Sequence, residues 1–313
     1  MPPAIALVIA PLSAHQLQPL SACFSLVRWS ELSDPPAFLQ QQGSNVQVVI
    51  TNGVVGLPPG CAEHLPALKL IACNGVGYDA IDLEWARQRR IAVTNTPDVL
   101  SADVADLALA LLLAVFRQIP LADQFVREGS WSKGALPLGR RLGGSRIGII
   151  GLGNIGKLIA RRCAAFDTEI AYTGTQPQPD AGYTFLPSPA ALAKWSDVLI
   201  AAVPGGNATR HLVNATVLDA LGPRGVFINI ARGSVVDEQA LIDRLATGAI
   251  AAAGLDVFAT EPQVPAALRT LPNVVLSPHI ASATVQTRNA MAQLLVENVL
   301  ALAQGEPLPT RVC

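Results

Sequence analysis

Three residues near the strand ends of the later half of the chain have the types needed to reduce a carbonyl. They are Arg232 in N-I-A-R-G, Glu261 in D-V-F-A-T-E-P and His279 in S-P-H-I. A guanidinium holds a carboxylate bidentately and polarises the carbonyl beside it, with a charge fixed at any working pH. An imidazole beside a carboxylate is favoured in its protonated form and can donate to a carbonyl oxygen. Glu261 is the natural orienting partner for His279. Together the three describe hydride transfer to the carbonyl carbon of a 2-keto acid, with a cofactor supplying the hydride and His279 the proton. Each also has a plainer reading: Arg232 as a loop-end cap, Glu261 before Pro262 as a solvated turn carboxylate, His279 after Pro278 as a loop histidine. His15, His64 and His211 read as surface residues.

What must position the three is a parallel sheet. Arg232 follows an apolar run at 226–230, Glu261 one at 252–258 and His279 one at 274–277, each of which reads as a strand. Ligands of open α/β sheets bind outside the carboxyl ends of the strands, so all three can face one crevice. The segment R-I-G-I-I-G-L-G-N-I-G, Arg146 to Gly156, supplies the other side of that crevice. It reads as a strand at 147–150, a glycine turn, and a helix at 157–166. Gly151 permits the tight turn, Gly153 lets backbone approach a pyrophosphate, and Gly156 allows helix and strand to pack closely. Phosphates then sit on the free amides of the helix N-terminus. Earlier in the chain, N-G-V-G-Y-D (Asn74 to Asp79) closes another strand, and its consecutive amides form an anion nest suited to a substrate carboxylate. A tight turn with no ligand is the alternative there. Asp256 is placed to accept from a nicotinamide carboxamide, and Thr96 and Val104 to line the same cleft. Asp79 and Asp82 read as turn and helix-cap residues.

Strand-like and helix-like segments alternate twice along the 313 residues. The first series has strands at 4–10, 25–29, 46–51, 68–73 and 91–94, with helices at 13–23, 35–42, 58–65 and 83–89. A long apolar helical stretch at 101–128 follows, broken near Pro120, and its composition suggests burial between domains or subunits. A basic connector at 134–144 leads into the second series. That series has further strands at 169–173, 184–186 and 198–203, helices at 189–194, 215–221 and 237–247, and a final helix at 283–303. The expected fold is α/β, with two doubly wound parallel-sheet domains: a flavodoxin-like substrate domain, a Rossmann cofactor domain, and an active-site cleft between them. The substrate domain is discontinuous, 1–98 and 286–313, and the cofactor domain occupies 99–285. Hydrophobic residues make up 50% of the chain and charged residues 14%, with a net charge of -1, which gives no support for nucleic acid or anionic membrane as partner. The longest apolar run, 107–116, is far below the roughly 18 residues that span a bilayer. The N-terminus has no basic n-region and reads as a first strand. Five scattered cysteines without a C-x-x-C pair suit a reducing cytoplasm and give no metal site.

Across essentially its whole length the sequence resembles the D-isomer-specific 2-hydroxyacid dehydrogenase family. The matching stretches are N-G-V-G-Y-D, N-T-P-D-V-L (Asn95 to Leu100), G-I-I-G-L-G-N-I-G (Gly148 to Gly156), N-I-A-R-G-S-V-V-D (Asn229 to Asp237), G-L-D-V-F (Gly254 to Phe258) followed by E-P, and S-P-H-I-A-S-A-T (Ser277 to Thr284). The resemblance is nearest to the glyoxylate/hydroxypyruvate reductase branch, including enzymes that reduce hydroxyphenylpyruvate. By position it implies Arg232, Glu261 and His279 as catalytic and Val76 and Gly77 as the amides that hold the substrate carboxylate. Implied cofactor contacts are Val104, Gly151, Gly153, Asn154, Ile155, Thr173, Thr175, Val203, Pro204, Thr209, Ile230, Ala231, Asp256 and His279. It also implies a homodimer built through the cofactor domains.

One departure bears on the cofactor. An NAD-preferring site places an acid at the end of the second strand, where it bonds the ribose 2′-OH. Here the chain has Thr173-Gly174-Thr175-Gln176. The missing acid favours NADP, while the absence of the arginine that NADPH-specific relatives often carry leaves NAD possible. Rival readings of the same motifs are a nucleotide-sensing, corepressor-like interaction protein and a dehydrogenase of another small acid such as formate or phosphite.

Overall fold

The structure, a computed structural model, describes residues 4–313. Met1 to Pro3 lie outside the described residues, and the strand expected at 4–10 forms over Ile5–Val8. The chain divides into two compact units, Met1–Leu100 with Ala283–Cys313, and Ser101–Ser282.

The first unit contains β1 (Ile5–Val8), α1 (Ala14–Leu17), β2 (Ser25–Arg28), α2 (Pro35–Gln42), β3 (Val46–Thr51), β4 (Leu70–Cys73), α3 (Leu83–Gln88) and β5 (Ala92–Thr94). Its five strands are parallel in the order β2-β1-β3-β4-β5. Polar side chains set the helix starts: Ser13 and Gln16 form a capping box, and Asp34 and Asp82 accept from Ala37 and Trp85 amides. The helix expected at 13–23 is divided, because Pro19 has no N–H to continue an α-helix, and a 3-10 helix takes over at Gln18–Ala22. At 58–65 only a 3-10 turn, Ala62–His64, forms behind two prolines and a glycine.

The second unit opens with α4 (Ser101–Arg117) and α5 (Ile119–Arg127), which meet at a 59° bend. The break lies at Gln118, left-handed at φ 53, and Pro120 falls in the first turn of α5, where its missing N–H costs nothing. Then follow β6 (Arg146–Ile150), α6 (Asn154–Ala164), β7 (Glu169–Thr173), β8 (Thr184–Phe185), α7 (Pro189–Trp195), β9 (Val198–Ala201), α8 (Ala215–Leu221), β10 (Val226–Asn229), α9 (Glu238–Thr247), β11 (Ala252–Leu255), α10 (Ala266–Thr270) and β12 (Val274–Leu276). All seven strands are parallel, in the order β12-β11-β10-β9-β6-β7-β8. The chain steps outward from β6 to β8 on one side and restarts at β9 on the other, so the strand order reverses at β6. The residues of β9 and most of β10 are fully buried, as expected of strands covered on both faces.

Some boundaries differ from the sequence expectation. The strands expected to reach 203 and 258 stop at Ala201 and Leu255, so the residues that follow are free to form loops. The helix after the glycine turn starts at Asn154 and not at 157. Burial of α4 is also one-sided: Val104, Ala105, Ala108, Leu111, Leu112 and Phe116 are buried, whereas Ala102, Asp106 and Ala110 are exposed in the chain. The exposed stripe is apolar mainly through alanine, whose small surface needs little cover. The last helix, α11 (Val285–Gln304), belongs wholly to the first unit, capped by Thr284 and ended by left-handed Gly305. The five cysteines are free thiols. Among the described residues no single helix is long and apolar enough to cross a membrane, and no group of three or more acidic, histidine or cysteine side chains could hold a metal.

Close approach of α7 to β6 depends on Gly148, where an added Cβ would stand 2.1 Å from Ser196 Oγ and 2.8 Å from Leu192 Cγ. Gly148→Ala is expected to overpack this layer and cost about 1–3 kcal/mol, measured as a lowered urea midpoint with unchanged m.

Candidate active site

The glycine turn sits where the strand order reverses, at the carboxyl end of β6. Gly151 is left-handed at φ 94, and a Cβ there would strike Val203 Cγ1 at 2.6 Å and the Ala202 carbonyl oxygen at 2.7 Å. Its amide donates to Thr173 O at 2.9 Å, tying the turn to the end of β7. A Cβ on Gly156 would lie 2.1 Å from the Gly151 carbonyl oxygen, so this glycine alone lets α6 start so close to the strand. Gly153 differs: a Cβ there would meet nothing within 4 Å. It is the N-cap of α6 and offers no side-chain acceptor to the first-turn amides. Open space over an uncapped helix N-terminus suits a pyrophosphate, so these residues fit a dinucleotide.

Further along the same edge of the sheet, Arg232, Glu261 and His279 come together. His279 Nδ1 lies 2.6 Å from Glu261 Oε2, and Glu261 Oε1 accepts the Phe258 amide at 3.0 Å. The His279 side chain keeps 34% of its surface exposed and Glu261 19%, so the imidazole has an open edge while its partner is mostly enclosed. Burial pushes the Glu261 carboxyl up. The hydrogen bonds from His279 and the Phe258 amide, with the charges of His279 and Arg232, outweigh it and hold the group below its ordinary value. Arg232 is half-buried, and its Nη1 donates to the Ala231 carbonyl at 2.7 Å.

The supports of these side chains were not evident in the sequence. Asn229, fully buried at the end of β10, donates to Arg232 O at 3.0 Å and accepts from the Ala231 amide at 3.0 Å, which shapes the Arg232 loop. Gly233 packs directly on the Phe258 backbone, where a Cβ would fall 1.9 Å from Phe258 C and O. The arginine loop and the glutamate loop therefore touch through a glycine. Asp256, placed just beyond β11, is fully buried. Its Oδ1 accepts from Ser277 Oγ at 2.6 Å and the Ile280 amide at 2.9 Å, and its Oδ2 accepts from the Ala281 amide at 3.0 Å. Its carbonyl accepts the His279 amide at 2.8 Å. Burial raises the pKa of this carboxyl, only partly offset by those donors. Asp256 thus clamps the segment in which His279 adopts a left-handed φ of 52.

The other expected cofactor contacts fall at strand ends of the second unit. Ile155 is half-buried in the first turn of α6, beside exposed Asn154. Thr173 is buried and Thr175 exposed after β7, Val203 and Pro204 follow β9, and Ile230 and Ala231 are buried after β10. Thr209 Oγ1 donates to Pro204 O at 2.7 Å, closing the loop after β9. Val104 is buried in α4. In the first unit, Val76 and Gly77 lie at the carboxyl end of β4. No acceptor among the described residues takes their amides, and both residues are partly exposed. Gly53 backs this turn, since a Cβ there would be 1.9 Å from the Gly77 carbonyl oxygen. Thr96 is fully buried, with its hydroxyl unpartnered. His15, His64 and His211 are exposed.

A glycine turn at the reversal point of a parallel sheet, with a histidine–carboxylate pair and an arginine at neighbouring strand ends, defines the nicotinamide-dependent dehydrogenase class. The family model for the D-isomer specific 2-hydroxyacid dehydrogenase NAD binding domain matches residues 109–281. The chain belongs to the D-isomer specific 2-hydroxyacid dehydrogenase family. It is 44% identical over 306 residues to hydroxyphenylpyruvate reductase of Plectranthus scutellarioides, covering 98% of each chain. It is also 44% identical to 2-ketogluconate reductase of Gluconobacter oxydans, over 98% of this chain and 97% of that one. The structure of NADPH-dependent glyoxylate/hydroxypyruvate reductase from Sinorhizobium meliloti, in complex with NADP and malonate, superposes with a TM-score of 0.93 at 44% identity, covering 99% of this chain and 97% of that one.

Two outcomes are expected. Gly233→Ala should part the arginine and glutamate loops and lower kcat/KM for a 2-keto acid on the order of a hundredfold, read from initial rates. Glu261 has a depressed folded pKa, so its contribution to stability is present above the unfolded value and is lost as pH falls through the folded one. The stability gap between wild type and Glu261→Gln, from urea midpoints across an acid pH series, should therefore close below the ordinary carboxylate range.

Proposed function

We propose that this chain is an NAD(P)H-dependent reductase of small 2-keto acids, giving D-2-hydroxy acids where the product is chiral. The observation that carries the reading is the 2.6 Å contact of His279 with Glu261, within reach of the Arg232 charge. Arg232 holds the substrate carboxylate and polarises the neighbouring carbonyl. In the first unit, the consecutive Val76 and Gly77 amides form an anion nest suited to a carboxylate of the keto acid. His279 donates from Nε2 to the carbonyl oxygen as negative charge develops there, and Glu261 fixes the tautomer and compensates the imidazolium. The reduced nicotinamide, when bound, supplies the hydride.

The substrate domain is assigned to 1–98 and 286–313 and the cofactor domain to 99–285, a reading supported by the two compact units. NADPH is the preferred cofactor and NADH is accepted more weakly. The support is the loop after β7, which presents Thr175 and Gln176 where an acid would repel a 2′-phosphate. Relatives named for hydroxyphenylpyruvate, 2-ketogluconate and glyoxylate or hydroxypyruvate favour a 2-keto acid whose side chain the site tolerates broadly. A homodimer through the cofactor domain is favoured by apolar surface on and after α5: Ile119 is 54% exposed, Val126 56%, Trp131 71% and Leu138 97%. Five free thiols favour the cytoplasm.

Initial rates with glyoxylate, hydroxypyruvate and hydroxyphenylpyruvate, each with NADPH and NADH, test the assignment; NADPH oxidation with at least one acid ahead of the others is expected. Nucleotide binding without oxidation in every pairing would favour a sensing role instead. Thr175→Arg should add a charge-assisted contact to the 2′-phosphate and lower KM for NADPH about tenfold while leaving NADH unchanged.

A further inference from the structure

The Val76–Gly77 turn lies between Gly53, which packs on the Gly77 carbonyl, and residues 95–96, which bind the Gly75 and Val76 carbonyls. Gly75 O accepts the Thr96 amide at 2.9 Å, and Val76 O accepts Asn95 Nδ2 at 2.9 Å. In a trans peptide the C=O and the N–H point in opposite directions. Anchoring the Gly75 carbonyl therefore aims the Val76 amide away from residues 95–96, and anchoring the Val76 carbonyl does the same for the Gly77 amide. Two consecutive free N–H groups facing one way make an anion nest, and here the Asn95 side chain and the Thr96 backbone set their direction.

Asn95 is itself gripped by the end of the chain. Thr310 Oγ1 donates to Asn95 O at 2.6 Å, and the Asn95 amide points to Thr310 O at 3.4 Å. Around this contact residues 310–313 lie antiparallel to β5, with the Val312 amide on Val93 O at 2.7 Å and a bridge between Thr94 and Arg311. Thr310 is held in turn by Asn298, which is fully buried in α11. Asn298 Nδ2 donates to Thr310 Oγ1 at 2.9 Å and to Leu294 O at 2.8 Å, and its Oδ1 accepts the Thr310 amide at 3.1 Å. An amide buried on a mostly apolar helix face is costly unless its groups are paired, and two of the three bonds of this one go to a single threonine.

We propose that Asn298, Thr310 and Asn95 are positioning residues for the substrate carboxylate, a relay through which the C-terminal segment sets the direction of the Val76 and Gly77 amides. The inference rests on the reading that those amides bind the keto acid. None of the three side chains touches the reacting atoms. Their removal acts on keto-acid binding and leaves the nucleotide untouched.

The test is steady-state kinetics of Thr310→Val, Thr310→Ser and Asn95→Asp in the full-length protein, with NADPH affinity measured separately by fluorescence. Thr310→Val should raise KM for the keto acid, and the inhibition constant of oxalate, about tenfold, with NADPH affinity unchanged. Thr310→Ser, which keeps the hydroxyl, should restore both. Asn95→Asp puts an acceptor against the Val76 carbonyl and should raise the same two constants, which keeps the test decisive if Thr310→Val folds poorly. An active wild type whose keto-acid KM is unmoved by Thr310→Val or Asn95→Asp overturns the relay. Equal loss of NADPH and keto-acid affinity without rescue by serine overturns it too, as a merely structural role would give that result. A wild type that reduces no keto acid would refute the underlying functional reading, a separate outcome.

Discussion

The contact between His279 and Glu261 is the constraint around which the second unit is arranged. A 2.6 Å bond between side chains on two different loops survives only if both loops are fixed more firmly than the pair itself. Asp256 fixes one with three hydrogen bonds to segment 277–281, and the Phe258 amide fixes the other by binding the second oxygen of Glu261. Asp256 is expensive to bury, as its raised pKa records, and its donors offset that cost only while the loop keeps its shape. The opposite shift of Glu261 has the same origin: partners chosen for the charged form overcome burial. Two carboxyls five residues apart are thereby given different tasks, one to shape backbone and one to hold an imidazole.

The rest of the site follows from sheet topology. Because every strand of the second sheet is parallel, all of their carboxyl ends lie on one edge, and residues 151–155, 173–175, 203–204, 230–232, 256–261 and 277–279 emerge there. Glycines decide how closely those loops approach. Gly151 admits the segment after β9, Gly156 brings α6 onto the end of β6, Gly153 leaves space, and Gly233 joins the arginine loop to the glutamate loop. The first unit uses the same device, with Gly53 against Gly77 beneath the free amides.

Much of this was legible in the sequence, for physical reasons. Parallel strands buried on both faces read as short, largely apolar runs, and β3 and β7 matched to the residue although Gln47 interrupts the first and Glu169 opens the second; the glycine spacing marked the reversal point. Strand ends are overestimated from sequence where a buried loop follows, as at Asp256 to Phe258, because a mainly apolar run does not distinguish a strand from a buried loop. The break expected near Pro120 lies at left-handed Gln118, and the proline itself falls in the first turn of α5, where it is at ease. The anion turn was visible as N-G-V-G, whereas its bracing by Asn298 and Thr310 joins residues over 200 positions from the turn, and no local pattern signals such a contact. Asn229 and Gly233 carry no signal of their own in the sequence for a related reason: both act by shaping backbone, Asn229 within the Arg232 loop and Gly233 against Phe258.

The central claim is that the histidine held by Glu261 gives the proton when a 2-keto acid is reduced. The most direct measurement is single-turnover reduction of hydroxypyruvate by His279→Ala loaded with NADPH, alongside NADPH binding by fluorescence quenching. The account predicts a rate lower by about 10²–10⁴-fold with nucleotide affinity preserved. A rate within a few-fold of wild type would contradict it and place the proton donor elsewhere.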